Sequence, residues 1–459
     1  YDYWSEKVMP SSLVSSKADL VAFGTGERTI LEIAEGLDRG ESIRDLRRLR
    51  GVAYLLGKNE PLAEDHDFAG TNDGRSVELP SHEAVSSDPT EFARATRLLH
   101  RETNPLNARR LTQAHGDRLV VINPPPHGLS ESEMDAVHGL PYTRKPHPRY
   151  ASEGEIPAWR TIADSVQIMR GCFGGCTFCS ITLHQGRAIQ SRSKESVIAE
   201  VRGLAKDPAF KGQISDLGGP TANMYRMRCS VPQVEATCRR LSCVSPKVCK
   251  LLDTSHAPLV ELMRESRSVK GVKKVHIASG IRMDLARNET EYLDELVNHH
   301  VGGHLKVAPE HVSDKVLAQM KKPPQSTFEE FTERFRAASK RAGKDQFLVP
   351  YFIASHPGSG LEEMIELALF LKKSGHRPRQ VQDFIPAPMD IATCIFHTGI
   401  DPETMKPVFV ATRPSERALQ RALLQFFLPE NYYDVKKALE LAGRKNLIGS
   451  APECLIPAR

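Results

Sequence analysis

Three cysteines stand within eight positions in the stretch QIMRGCFGGCTFCS, spaced Cys172-x3-Cys176-x2-Cys179. No fourth cysteine follows closely, and no histidine stands at zinc-finger spacing. A structural zinc site needs four ligands. Three thiolates in one short loop therefore leave a metal position without a protein ligand. A 4Fe–4S (Fe4S4) cluster held by three cysteines answers that description, with one iron open to an outside ligand. Gly171, Gly174 and Gly175 give the loop the dihedral freedom to wrap a cube-shaped cluster, and Phe178 stands to pack over it. Two other readings compete: a zinc site completed by a distant residue, and three unrelated core thiols.

Four more cysteines, Cys229, Cys238, Cys243 and Cys249, follow at spacings x8, x4 and x5. They are candidates for a second site, either an auxiliary 4Fe–4S cluster or a zinc. The competing reading is structural thiols, with Cys249 a small buried hydrophobe in an expected strand. Cys394 and Cys454 stand alone and read as structural. The chain has nine cysteines, no secretory signal, and no apolar run near the ~20 residues of a membrane span. That pattern suits a reducing cytosol, where clustered cysteines bind metal rather than form disulfides. The expected location is cytoplasmic, with no membrane partner.

The elements that must position these thiols follow from periodicity. The 459 residues suggest about three domains at ~150 residues each. Residues 1–155 read as an N-terminal region: the end of an α/β domain, then a wrapping or linking segment. "ADLVAFG" is an expected strand, followed by a helix with Ile30, Ile33, Ala34 and Leu37 on its apolar face. This pattern opens at Tyr1 with nothing before it and suggests a fragment. Residues 51–155 show weak, Pro-rich pattern, with one helix at 89–102 and one strand at "RLVVINPP".

Residues 156–385 alternate strand and helix. Strands are expected at "SVQIMRG", "QISDLGG", "KVCKLLDTSH", "KVHIASGIR", "GHLKVAPEH", "QFLVPYFIASHPG" and "RQVQDFIPAP". The helix after the cysteine loop has Ser193 as N-cap and buries Val197, Ile198, Val201 and Leu204. Further helices are expected at 257–267, 290–299, 326–342 and 361–373, the last closed by Gly375. Such alternation indicates a parallel sheet, and polar motifs follow its strand ends, where α/β active sites gather. Residues 386–459 read as a small helical domain of two amphipathic helices, capped by Ser415 and Asn431 and stopped by Gly443.

Cys172, Cys176 and Cys179, in this strand-end setting, resemble the signature loop of the radical S-adenosylmethionine (SAM) superfamily. "SDLGGPTANMY", "CRRLSCV", "SGIRMDL", "KVAPEH", "ASHPG" and "GRKNLIG" narrow the resemblance to the YgiQ family of radical SAM proteins, over nearly the whole chain. The resemblance implies an α/β fold built on a partial (β/α)6 TIM-like barrel. It also implies an enzyme that uses the cluster to cleave SAM reductively and form a 5′-deoxyadenosyl radical for hydrogen abstraction. The missing fourth ligand is then SAM itself, through its amino and carboxylate groups.

Gly218 and Gly219 stand where the family seats the SAM amino group. Pro220 replaces the usual acidic residue there, with Asp216 or Asn223 left to supply polarity. Ser279 and Arg282 are candidates for the ribose and carboxylate. Lys306, Glu310, His311 and His356 are candidate catalytic or substrate-contact residues. An electron donor such as flavodoxin or ferredoxin and an unidentified substrate complete the partners. Relatives in this family begin with a segment that resembles a cobalamin domain in outline, but no Asp-x-His-x-x-Gly cobalamin signature is present here.

Two alternatives remain. One is a tRNA- or protein-modifying transferase resembling the methylthiotransferases with their two clusters. Arg47, Arg48, Arg50, Arg239 and Arg240 are its candidate phosphate contacts. The net charge of +5 suits an anionic substrate or nucleic acid without requiring either. The other alternative is a non-catalytic metal-binding scaffold.

Overall fold

The computed structural model describes residues 1–62, 68 and 76–458. Residues 63–67 and 69–75 of the expected wrapping segment lie outside that description.

The described residues up to Ile122 hold five strands: β1 (Val21–Ala22), β2 (Val52–Leu56), β3 (Val77–Leu79), β4 (Leu111–His115) and β5 (Arg118–Ile122). They form one sheet in the order β1-β2-β5-β4-β3. Only the β3–β4 pair is parallel; the others are antiparallel. This corrects the weak-pattern reading of 51–155, which expected one strand. The "VAYLL" of β2 is apolar throughout and almost wholly buried, so it carries no alternation to betray a strand. The helix Glu27–Asp38 forms as expected. Its apolar face does not bury, however: Ile30 is 55% exposed and Leu37 46%.

The parallel part begins with β6 (Ser165–Gln167). It pairs in parallel with β10 (Asp216–Gly218), and β9 (Gln213–Ile214) pairs in parallel with β11 (Lys274–Val275). These two pairs are one run, because Leu217 N–H donates to His276 O at 2.8 Å. A parallel bridge from Ile281 to Val307 then carries the run to β12 (His304–Glu310). Parallel pairings lead on to β13 (Phe347–Ala354) and β14 (Gln382–Asp383). Among the described residues no pairing joins β14 back to β6. A small antiparallel pair, β7 (Met169–Arg170) with β8 (Gln190–Ser191), brackets the cysteine loop.

Alternate residues of these strands point at the covering helices. Val166, Ile168, Leu217, Val275, Leu305 and Val307 share one buried cluster with Val197, Ile198, Val201 and Leu204 of the helix Lys194–Ala205. Ser193 caps that helix through the Ser196 N–H, as its sequence predicts. Burying each such side chain stabilises the fold by roughly 1.5–3 kcal/mol. Phe352 and Ala354 of β13 pack instead against the helices Leu361–Ser374, Pro414–Leu424 and Tyr432–Leu441.

Two local expectations are corrected. "KVCKLLDTSH" is not a strand; it contributes only an isolated bridge from Leu252 to Cys229. Cys249 N–H turns back on Cys243 O at 2.7 Å, which takes the donor a ladder would need. Ser415 is not a cap either: Pro414 opens that helix and Arg413 holds the N-cap position. Among the described residues no helix is long and apolar enough to cross a membrane.

Candidate active site

The cysteine loop leaves β7 at Gly171 and is held from four directions. Gly171 has φ +85°, and a Cβ there would lie 2.1 Å from Ala188 O. Gly175 has φ +64° and faces Leu241 O just as closely. Gly174 serves by closeness rather than dihedral freedom, since a Cβ there would lie 2.8 Å from Arg282 Nη1. Thr177 donates through N and Oγ1 to Met320 O (3.2 Å) and Gln319 O (2.9 Å). It accepts from Ala392 N at 2.8 Å. Ser242 Oγ donates to Gly174 O (2.7 Å), and Cys243 N to Phe173 O (3.0 Å). Phe178 turns into the core, edge-on to His356 at 5.7 Å between centroids.

All three thiols are free and half-buried. Burial pushes Cys172 up, opposed by the Arg282 charge, and pushes Cys179 up to about 12. Arg282 Nη1 lies 3.8 Å from Cys176 Sγ. The other edge of that guanidinium forks onto Asp284 at 2.9 and 2.7 Å. Burial works against the Arg282 charge, but the Asp284 pair outweighs it and holds its pKa above the ordinary value. Asn223, fully buried, fixes the Arg282 backbone: its Oδ1 accepts Arg282 N at 2.7 Å and its Nδ2 donates to Arg282 O at 3.0 Å. Glycines that admit a bulky group, three unpaired thiols and one buried guanidinium suit an anionic thiolate-bound cluster.

Gly218 ends β10 and Gly219 follows it. A Cβ on Gly218 would sit 2.2 Å from Ser279 Oγ, and one on Gly219 would sit 2.8 Å from Met169 O. Both glycines are therefore demanded by close approach. Asp216 caps the next strand end, its Oδ1 accepting Ala278 N at 2.7 Å and Ser279 N at 3.1 Å. Ser279 itself is exposed.

The remaining candidates divide. Glu310, His311 and His356 lie buried at the ends of β12 and β13. Glu310 has φ +68° and Ser355 φ +62°, two strained non-glycine residues on neighbouring strand ends. His311 Nδ1 accepts Ser313 N at 3.0 Å, and its Nε2 faces Ser359 Oγ at 3.4 Å. His356 Nδ1 donates to Pro357 O at 2.7 Å, while its Nε2 is buried without a partner. Burial lowers His311 to about 3 and His356 to about 4, and it raises Glu310. Lys306 is exposed on the opposite face of β12 from Leu305 and Val307 and joins none of these contacts.

Sequence reasoning missed Asp284, Asp390 and Gln420. Asp390 accepts Ser180 Oγ at 3.1 Å beside the loop, and burial raises it to about 7. An acidic residue just before the apolar run "IATCIF" was its available signal. Gln420, buried on a distant helix, accepts Ser355 N at 3.0 Å and donates to Ser359 O at 2.7 Å.

The second cysteine group does not converge as four. Cys238 and Cys249 stand near Cys243, whose thiol burial pushes up, whereas Cys229 Sγ turns to Val231 O at 3.5 Å. Among the described residues no three His, Cys, Asp or Glu side chains meet closely enough for a single metal ion.

The candidate phosphate arginines are already engaged. Arg47 pairs with Glu60, Arg48 with Glu41 (2.6 Å) and Arg239 with Glu102 (2.8 Å). Arg50 and Arg240 donate to backbone carbonyls.

Family models match three consecutive segments: radical SAM N-terminal over residues 1–165, radical SAM superfamily over 166–371, and a domain of unknown function over 379–459. A UPF0313 protein of Rhodopseudomonas palustris is 48% identical over 474 residues, covering 100% of this chain and 70% of its own. The UPF0313 protein YgiQ of Escherichia coli K12 is 45% identical over 508 residues, covering 100% and 69%. Among solved structures, the radical SAM methyltransferase TsrM of Kitasatospora setae, with tryptophan and a SAM analogue bound, matches at TM-score 0.41 and 13% identity. That match covers 83% of this chain and 54% of TsrM. The cobalamin-dependent radical enzyme OxsB matches at TM-score 0.42 and 13% identity, covering 86% and 42%.

Proposed function

The chain belongs to the UPF0313 (YgiQ) family of radical SAM proteins, and on that premise we propose that Cys172, Cys176 and Cys179 hold its cluster for hydrogen abstraction from a substrate. As a member of that superfamily it is an enzyme whose cofactors are an Fe4S4 cluster and SAM. It needs a substrate and a reductant. The scaffold reading gives way to this. Cys172, Cys176 and Cys179 would hold the cluster, which would supply to bound SAM the one electron it takes from the reductant, the chemistry that reductive SAM cleavage needs.

The observation that carries the site assignment is the loop itself. Three unpaired thiols stand on glycines at the start of a parallel run, beside the buried Arg282. Arg282 offers positive charge to the thiolates, and Asp284 and Asn223 keep it from swinging away. We read Gly218 and Gly219 as the seat of the SAM amino group, with Gly218 O taken by Ile168 N, Gly219 half-buried beside it and Ser279 on the adjoining strand end. Arg282 is read here as serving the cluster side of the pocket beside its expected role at the SAM carboxylate. His356 stands beside the loop, edge-on to Phe178, with its Nε2 buried and unpartnered, and Glu310 faces Lys322 at 3.7 Å. Lys306 is a substrate-facing candidate on the open face of β12.

We read the parallel run as a partial (β/α)6 barrel over 156–385, flanked by the 1–155 region and the 386–459 helical region. Flavodoxin or ferredoxin would serve as reductant, in a reducing cytosol where the nine free cysteines stay unpaired. A second reading, a modifying transferase with two clusters, is favoured by one observation: Cys243 N–H bonds to the cluster loop, with Cys238 and Cys249 at hand. Of its candidate phosphate contacts, Arg47, Arg48 and Arg239 are ion-paired, while Arg50 and Arg240 bond backbone carbonyls.

The test is anaerobic reconstitution with iron and sulfide, followed by dithionite and SAM. The wild-type chain is expected to release 5′-deoxyadenosine. A Cys176→Ala variant that still does so at the wild-type rate would falsify the cluster assignment.

A further inference from the structure

A cavity of about 500 Å³ lies between the N-terminal sheet and the helix Ile181–Gln185 that follows the cysteine loop. It falls within the ~300–1,000 Å³ of small-molecule sites. Phe23, Ala53, Val120 and Ile122 line it from the sheet side and Leu183 from the helix, so most of a guest would meet hydrocarbon.

The polar groups of the wall are largely spoken for. Glu102 takes Arg109 N, the Arg109 guanidinium and Arg239. Asn123 holds Arg47 O and Leu49 O, and Gln190 holds Leu129 N. Arg187 is different. It lines the cavity, yet among the described residues it makes no hydrogen bond and no ion pair with a carboxylate; the Cys243 thiol feels its charge, and its Nε is buried without a partner. Apart from Glu102, which is paired, it is the one Lys, Arg, Asp or Glu in that wall. Leaving a guanidinium partly desolvated and unpaired is costly. That cost is removed when an anion arrives, and Arg forks onto carboxylate, sulfonate or phosphate oxygens. Arg187 also borders the narrow cleft lined by Cys176 and Cys179. The charged end of the cavity is therefore the end nearest the cluster loop.

We propose that this cavity binds the substrate, and that the substrate is a small molecule with an apolar body and one anionic group held by Arg187. The inference rests on the cluster reading only for the word substrate; the binding site stands on the cavity and Arg187.

The test uses anilinonaphthalene sulfonate, an apolar fluorescent anion, and its uncharged relative N-phenylnaphthylamine, on the reconstituted full chain. The anion is expected to bind, and Arg187→Ala to weaken it at least about tenfold, the loss of one charge-assisted contact. Arg187→Lys should restore most of that affinity. The neutral probe should bind wild type and Arg187→Ala alike. Thr25→Trp, on the half-buried turn that also lines the cavity, should weaken both probes. Equal binding of the anion by wild type and Arg187→Ala overturns the proposal. So does parallel loss of both probes in Arg187→Ala, or competitive displacement of the anion by SAM, which would give Arg187 to the SAM site. Whether the wild-type chain cleaves SAM is read separately. Failure there sinks the radical reading and leaves the cavity result standing.

Discussion

Arg282 Nη1 stands 3.8 Å from Cys176 Sγ while the rest of its guanidinium is forked onto Asp284. One buried cation thus faces a carboxylate and a cysteine sulfur together. Arg282→Lys keeps the charge but cannot reach both. The expected outcome is a cluster reduction potential at least roughly 50 mV more negative, the scale of one weakened charge contact at ~4 Å. A potentiometric titration followed by electron paramagnetic resonance measures it. An unchanged potential means that Arg282 is only a structural brace.

Gly218 has no room for a methyl group, with Ser279 Oγ 2.2 Å from its Cβ position. Gly218→Ala should destabilise the chain by about 1–3 kcal/mol through overpacking. It should also abolish measurable SAM binding in calorimetry, because Ser279 must move. Wild-type SAM affinity in a destabilised variant would remove the glycine pair from the cofactor site.

Iron content separates one cluster from two. About four irons per chain are expected after reconstitution, falling to background when Cys172, Cys176 and Cys179 are all replaced by Ala. A count of about eight, with roughly four left in that triple variant, would carry the two-cluster reading through Cys238, Cys243 and Cys249.

His356 and His311 are held neutral by burial, at about 4 and about 3 against an ordinary 6.5. A depressed pKa means that the unfolded chain binds protons the fold refuses. Stability is then full above pH 6.5 and falls as pH drops toward 4. Each histidine contributes at most about 1.4 kcal/mol per pH unit to that slope. His356→Leu should flatten the fall between pH 6.5 and 4.5 in denaturant titrations; an unaltered slope would show that His356 titrates normally.

What the sequence disclosed follows a physical pattern. The cysteine loop, the glycine pair and the helices after the strands were legible because short spacing and periodicity are local signals. The Ser193 cap and the four buried residues of its helix came through for that reason. The antiparallel sheet was not, since β2 is apolar on both faces and its partner β5 lies 62 residues on. "KVCKLLDTSH" resembles a strand through Val248, Cys249, Leu251 and Leu252, while the turn at Cys249 is set by a carbonyl on Cys243. Gln420 and Asp284 escaped because their roles lie in contacts that spacing does not encode. Gln420 reaches a loop 61 to 65 residues away.

The loop that carries Cys172, Cys176 and Cys179 takes its backbone partners from Gln319, Met320 and Ala392. On a ribosome, those partners do not exist when the cysteines emerge. Ala392, the last of them, follows Cys179 by 213 residues. If these cysteines hold the cluster, the braces that fix their loop are complete only once that residue has been made.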